Sequence, residues 1–167
     1  MPALTCLLWL LCVAVYDFRK RRVPNWLVLS GAVLALAILC FGAQPFGVRW
    51  TAALAGAVSG FAFLLLFYAM GLMGAGDVKF AGALGLWVGM SALVPIWIIA
   101  SLFAGLHGVL WLALRRWPFF PRLALILSGP PSPSALGGTS PSRDRFIPYG
   151  AYLALATVIW MFWGRQS

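Results

Sequence analysis

Acidic residues are nearly absent from this sequence. Its 167 residues include no Glu and only three Asp, namely Asp17, Asp77 and Asp144, and charged residues of either sign make up 9% of the chain. Apolar residues make up 63%, whereas a typical soluble domain is roughly half apolar and a quarter charged. This composition excludes an ordinary soluble domain and predicts a membrane protein.

Metal-ligating residues are also scarce. The chain has one His, His107, and three Cys, with no CxxC pair and no HExxH sequence. Because a zinc site needs several convergent His, Cys or carboxylate ligands, a metal-dependent protease is excluded, and we expect no metal and no cofactor. Neither Ser59 nor Ser101 lies in a nucleophile-elbow pattern, so His107 is predicted to form a hydrogen bond between membrane helices.

Basic residues dominate the small charged fraction. Twelve Lys and Arg against three acids give a formal net charge of +9. They occur in short clusters between long apolar stretches, which is typical of topology signals in membrane proteins. A nucleic-acid-binding protein would spread such charge over a solvated surface. We therefore expect no nucleic-acid partner, and anionic membrane lipids are the predicted partners of the basic clusters.

The apolar stretches predict an all-α polytopic membrane protein. Stretches without charge run over 1–16, 23–48, 50–76, 80–114 and 146–164, and about 20 helical residues cross a bilayer. The stretch 80–114 is too long for one crossing and contains Gly89, Ser91 and Pro95, so a hairpin of two spans is predicted there. Six transmembrane helices result, at about 2–17, 26–43, 51–73, 78–91, 95–114 and 147–163.

The distribution of cations orients these six spans. Ten of the twelve Lys and Arg fall on one side of the membrane, and Arg49 and Arg165 fall on the other. If 80–114 crossed only once, the division would be five against seven. By the positive-inside rule the basic side is cytoplasmic, so both termini are predicted to be non-cytoplasmic. The first stretch precedes its cations and lacks a small-residue cleavage site, which indicates a retained anchor.

The whole chain, 1–167, is predicted to form one membrane-embedded domain with a cytoplasmic loop at about 115–146. Six prolines between residues 117 and 145 prevent that segment from forming one helix. Its apolar part, 123–127, could lie on the membrane surface.

Small residues recur at helical spacing in the third and fourth spans. One set comprises Ala52, Gly56 and Gly60, and the other comprises Gly82, Gly85 and Gly89. Such stripes allow the backbones of membrane helices to approach closely. The sequence therefore predicts that neighbouring helices pack closely against each of these two spans.

Two of the three acids are predicted to lie at the same depth. Asp17 follows the first apolar stretch and Asp77 follows the third, so both would lie at the cytoplasmic side. An Asp at mid-bilayer costs roughly 2.5–3.5 kcal/mol, and less toward the interface. Asp17 could instead be a counter-charge to the basic cluster at 19–22, and Asp77 could cap the next helix and pair with Lys79.

The surroundings of Asp77 favour a chemical role. It lies in the sequence Gly74-Ala-Gly76-Asp77-Val-Lys79, where the two glycines permit a tight turn and close approach of a peptide. Two carboxylates about 3 Å apart share one proton, so one can act as general base on water while the other protonates a carbonyl. This is the chemistry of an aspartic protease. Lys79 is predicted to orient the loop by extending to the interface.

These motifs resemble those of a known family. Asp17 followed by Val23-Pro24-Asn25, together with Gly74-x-Gly76-Asp77-x-Lys79, is similar to the type IV prepilin peptidases, bacterial GxGD-type aspartic proteases. The segment Arg145-Phe-Ile-Pro-Tyr-Gly150 is similar to the start of the last span in that family, and the short length resembles the branch that serves tight-adherence (Flp) pili.

The resemblance implies a multi-pass protein of the bacterial inner membrane. It implies cleavage of the short basic leader of prepilins or pseudopilins, after a Gly and just before their apolar helix, with Asp17 and Asp77 as catalytic residues. Larger members carry a cytoplasmic insertion with paired CxxC motifs that this sequence lacks, so N-methyltransferase activity is not implied.

Two other classes of function stay open at this point. A small proton-coupled transporter or channel would use intramembrane Asp residues as a proton relay, and would place them near the midplane on an accessible path. A non-catalytic pilus assembly factor would keep its function after loss of both Asp residues.

Overall fold

The computed structural model describes residues 2–20, 23–116 and 148–163. This part of the chain forms five α-helices, and the all-α prediction is confirmed for it. Their bounds are α1 Pro2–Lys20, α2 Asn25–Cys40, α3 Trp50–Ala69, α4 Ala75–Arg116 and α5 Tyr149–Trp163. The loop predicted at 115–146 lies outside the described residues except for the last two residues of α4, and so does the segment 123–127.

Three helices are long and apolar enough to cross a membrane, judged by length and composition. They are α1, α3 and the part of α4 from Ala75 to Ala113, while α2 and α5 are shorter apolar helices of 16 and 15 residues. Large apolar side chains cover the outside of the bundle. Such a surface suits lipid and not water.

Helix α1 is longer than the predicted span 2–17, since it continues to Lys20. Arg and Lys are good helix formers, and the first proline after this segment is Pro24. Asp17 therefore lies inside the last turn of the helix. The basic residues in that turn complement the negative end of the helix dipole.

Helix α4 is interrupted at Gly89. This residue has φ 74° and ψ 173°, a conformation that is open to glycine and strained for residues with a Cβ. The sequence placed a break between Gly89 and Pro95, and Pro95 lies inside the helix that follows. The break therefore depends on the glycine, and it divides α4 into a first part, 75–88, and a second part, 90–116.

The first part of α4 packs against α3 through small residues, so the two predicted stripes of small residues meet each other. A Cβ added to Gly56 would lie 2.6 Å from the carbonyl oxygen of Gly85, and one added to Gly60 would lie 2.7 Å from that of Ala81. These contacts leave no space for larger side chains. Because residue numbers rise along α3 as they fall along this part of α4, the two segments are antiparallel.

The second part of α4 runs in the opposite direction to the first. Leu93 approaches Gly60, with its Cδ1 3.5 Å from a Cβ built there, and Trp97 stacks on Phe63 with ring centroids 4.3 Å apart. Residue numbers therefore rise in the same direction along α3 and along the second part of α4. The chain therefore doubles back at Gly89, and α3 contacts both parts of the resulting hairpin.

Two tryptophans attach α2 to the rest of the bundle. The indole N–H of Trp9 donates to the carbonyl of Leu27 at 2.8 Å, and that of Trp87 donates to the carbonyl of Gly31 at 3.0 Å. The two indole rings stack with centroids 6.1 Å apart, and the Trp9 ring occupies the space that a side chain at residue 31 would need. These contacts join α1, α2 and α4.

Helix α5 packs against α1 and α4. The hydroxyl of Tyr152 lies 2.6 Å from Nδ1 of His107 on α4, and the Tyr152 ring meets Phe18 of α1 edge-on at 6.1 Å. The predicted interhelical hydrogen bond of His107 is confirmed. These contacts bring the beginning of α5 between α1 and α4.

The packing at Gly85 predicts a large effect from one methyl group. In Gly85→Ala the added carbon would meet the backbone of Gly56, so we expect a loss of about 1–3 kcal/mol, the usual cost of overpacking. Gly105→Ala is the matched control, because a Cβ there meets nothing within 4 Å. Thermal unfolding in detergent, followed by circular dichroism, should show a lower midpoint for Gly85→Ala alone. Equal midpoints would contradict the described interface.

Candidate active site

Asp17 and Asp77 lie at helix ends and are both buried. Asp17 is in the last turn of α1, and Asp77 is the third residue of α4. Each side chain is only 3% exposed. A carboxylate is expensive to bury unless polar groups surround it, so the neighbours of this pair define the site.

The beginning of α5 supports Asp17. The backbone N–H of Ala151, the third residue of α5, donates to Oδ2 of Asp17 at 2.8 Å. Amides in the first turn of a helix have no partner within the helix, and the positive end of the helix dipole favours a nearby anion. The amino end of α5 therefore holds the Asp17 carboxylate in place.

Gly150 shows how close the two carboxylates are. A Cβ added to this residue would lie 3.0 Å from Oδ2 of Asp17, 3.2 Å from Oδ1 of Asp77 and 3.1 Å from Cγ2 of Val23. One point in space therefore touches both acids, and their oxygens are no farther apart than the sum of the first two distances. Residues separated by 60 positions in the sequence meet beside a glycine that gives them room.

The two motif glycines contribute in different ways. The carbonyl of Gly74 accepts the Asp77 N–H at 3.1 Å, which starts α4. A Cβ on Gly76 would lie 3.3 Å from the carbonyl oxygen of Val23, so this glycine admits the segment that joins α1 to α2. The left-handed residue of the α3–α4 connection is Gly71, with φ 75°.

Lys79 links the two sequence motifs. Its Nζ donates to Oδ1 of Asn25 at 3.0 Å, and both residues are exposed. Lys79 is one turn along α4 from Gly76, and Asn25 is the first residue of α2. The contact therefore fixes the start of α2 to the start of α4 beside the carboxylates.

Three further residues lie at the site that the sequence did not predict as site residues: Gly150, Tyr149 and Ser101. The side chains of Tyr149 and Ser101 hydrogen bond to each other, and the Asp77 carboxylate is close enough to act electrostatically on the Tyr149 hydroxyl. The sequence offered one signal for Gly150. Glycine is a poor helix former, so its place as the second residue of a helix indicates a special role. The contacts themselves depend on tertiary packing.

The arrangement offers paired carboxylates. Within residues 2–20, 23–116 and 148–163 no cluster of three or more His, Cys, Asp or Glu is placed to hold a metal ion. Two acids that meet at one point can act on opposite sides of a water molecule, and they can share one proton where their oxygens come within about 3 Å of each other. Asp144, the third acid, lies outside the described residues.

Comparison with known proteins identifies the family. The model of the type IV leader peptidase family matches residues 4–109, a region that contains Asp17, Asp77 and the glycines between them. The chain belongs to this family. No solved structure matches this chain.

Curated relatives extend the similarity over nearly the whole chain. A prepilin leader peptidase/N-methyltransferase of Pseudomonas aeruginosa is 31% identical over 98% of this chain and 50% of its own length. Proteins of the same name from Xanthomonas campestris and Pseudomonas putida are each 28% identical, over 95% and 94% of this chain and 48% of their own lengths. The chain thus spans about half the length of these relatives.

The space beside Gly150 generates a prediction for the two carboxylates. In Gly150→Ala the added methyl group would contact both carboxylates and displace them. We expect leader cleavage to fall on the order of 10²-fold, because displacements of about 1 Å at a reacting centre can have effects of that size. The measurement is kcat for leader removal by purified protein in detergent. Gly105→Ala is the control, and equal rates for the two variants would contradict the assigned position of Gly150.

Proposed function

We propose that this chain is a membrane aspartic endopeptidase that removes the short basic leader of type IV prepilins of the Flp type, or of pseudopilins. The observation that carries the proposal is the meeting of Asp17 and Asp77 beside Gly150. The family match and the names of the relatives agree with it. The proposal covers the peptidase activity alone.

The two carboxylates would divide acid and base roles around one water molecule. The ionised carboxylate takes a proton from water, and the water oxygen attacks the scissile carbonyl carbon while the protonated carboxyl donates to the carbonyl oxygen. The resulting diol collapses as the C–N bond breaks, and the leaving nitrogen takes a proton from the pair. Since the pair titrates as one unit, the roles are assigned to the pair and not to either Asp.

Six membrane crossings complete the proposal, with both termini non-cytoplasmic and the site at the cytoplasmic face of the bacterial inner membrane. The reversal of α4 at Gly89 supports two crossings within that helix. The positions of ten of the twelve cations support the orientation. Asp17 and Asp77 would then lie at the level where the leader of the substrate joins its membrane helix.

Substrate capture would depend on the apolar helix of the prepilin. A basic leader and a basic enzyme surface repel each other at long range. Anionic lipid headgroups would neutralise the enzyme surface, at about 1 kcal/mol for each cation near the membrane. Lateral packing of the substrate helix against the bundle therefore supplies the specific contact.

The location of the acids distinguishes this proposal from a proton-coupled transporter. A relay would require carboxylates near the midplane, whereas Asp17 is in the last turn of α1 and Asp77 in the first turn of α4. Mutation of the acids distinguishes an enzyme from a non-catalytic assembly factor, because only the enzyme would lose its function.

We expect Asp17→Asn and Asp77→Asn each to lose leader cleavage by about 10²–10⁴-fold, the usual contribution of a positioned acid or base. Each Asn keeps the shape of the side chain and removes its proton chemistry. The assay is processing of a co-expressed prepilin, read as a mobility shift, with membrane abundance of the enzyme measured in parallel. Asp144→Asn is the matched control and should cleave normally. Near-normal processing by both dyad variants would refute the proposal.

A further inference from the structure

An apolar groove lies between α3 and the second part of α4, and we call it the α3–α4 groove. Its volume is about 700 Å³. Its wall on α3 includes Phe63 and Phe67, and its wall on α4 includes Val94, Ile98 and Leu102. The last three are more than half exposed, at 55%, 56% and 68%, so the groove is open to the membrane.

One end of this groove adjoins the carboxylates. Met73, Ser101 and Tyr149 line that end. Tyr149 hydrogen bonds to Ser101 and is within electrostatic reach of Asp77, and a Cβ added to the next residue, Gly150, would touch both acids. A chain whose peptide bond lies between the carboxylates could therefore pass Tyr149 and continue directly into the groove.

A second apolar groove lies on the other side of α3 and serves as a comparison. It is lined by α2, α3 and the first part of α4, and its volume is about 640 Å³. Its α4 wall includes Lys79 and Leu86, which are roughly half a turn around the helix from Asp77. Most of this groove therefore lies on the side of α4 opposite the carboxylates, and only its end at Asn25 and Lys79 approaches them, although its size and lining are similar.

We propose that the α3–α4 groove binds the beginning of the substrate's apolar helix, immediately after the cleaved bond. This inference rests on the proposed function and adds the surface that selects the substrate. Val94 and Leu102 are eight residues apart, so the groove accommodates about 12 Å, or two turns, of a helix. An apolar helix in an apolar groove is a recurrent mode of recognition.

Trp97 favours a peptide over a lipid chain as the occupant. It lines the groove, and its Nε1 is shielded from solvent with no acceptor among the described residues. A buried donor without a partner is costly. Once the indole turns toward the groove, a peptide oxygen could accept from this N–H, whereas the hydrocarbon of an acyl chain offers no acceptor.

Photo-crosslinking tests this surface. Benzoylphenylalanine is introduced at Leu102 in the α3–α4 groove and, as control, at Val58 in the second groove, since both side chains are 68% exposed. A second pair, Ile98 and Leu29, guards against misfolding of one variant. The variants carry Asp77→Asn to retain substrate, and a tagged prepilin is present in the same membranes. Cleavage of that prepilin by enzyme with both Asp residues intact is measured separately.

The proposal expects prepilin adducts at Leu102 and Ile98 at least about fivefold above those at Val58 and Leu29, because crosslinking requires van der Waals contact. Equal or stronger adducts in the second groove would overturn it, and so would adducts with lipid alone at Leu102. If cleavage is normal in either of these cases, only the groove assignment fails. Absence of cleavage by the intact enzyme would instead refute the proposed function, whatever the crosslinks show.

Discussion

The hydrogen bond from the Ala151 amide to Asp17 joins the last helix of the fold to the first, across 134 positions of the sequence. It gives a buried carboxylate a polar partner within an apolar bundle. It also requires the first turn of α5 to lie against the last turn of α1. Gly150 is then placed where both acids reach it. The geometry of the site therefore depends on how α5 is held.

Two sets of contacts provide that support. On α4, His107 meets Tyr152 and Ser101 meets Tyr149, which is possible because the chain reverses at Gly89 and returns beside α5. The reversal in turn depends on the glycine interface between α3 and the first part of α4. Since these residues are small, the backbones approach closely, and a change of one methyl group there reaches the site through α4.

Much of this structure could be predicted from the sequence because membrane helices obey simple rules. Apolar stretches located the helices, the small-residue stripes indicated that close neighbours pack against α3 and α4, and the one His was correctly expected to bond between helices. The break in α4 was expected between Gly89 and Pro95, and it occurs at Gly89, because the reversal requires a positive φ that glycine adopts easily, whereas Pro95 lies inside the helix that follows. Helix α1 continues to Lys20, beyond the end of the predicted span, since the basic residues after Asp17 are good helix formers.

The surroundings of the carboxylates could not be predicted in the same way. Pairing of Asp17 with Asp77 followed from topology, but the place of Gly150 between them depends on the packing of α5. Contacts such as Lys79 with Asn25 or Tyr149 with Ser101 join residues that no local pattern connects. Local rules describe the helices and their depth, whereas the chemistry of the site arises from three helix ends that meet.

Proximity of the two acids in the membrane is the central claim, and thiol crosslinking measures it most directly. In a protein whose own cysteines are replaced, Asp17→Cys with Asp77→Cys is treated with a short bifunctional thiol reagent. The control pair is Val15→Cys with Asp77→Cys, because Val15 is 45% exposed and roughly half a turn from Asp17. The account predicts rapid crosslinking of the first pair and little of the second. Equal rates, or faster reaction of the control, would contradict it.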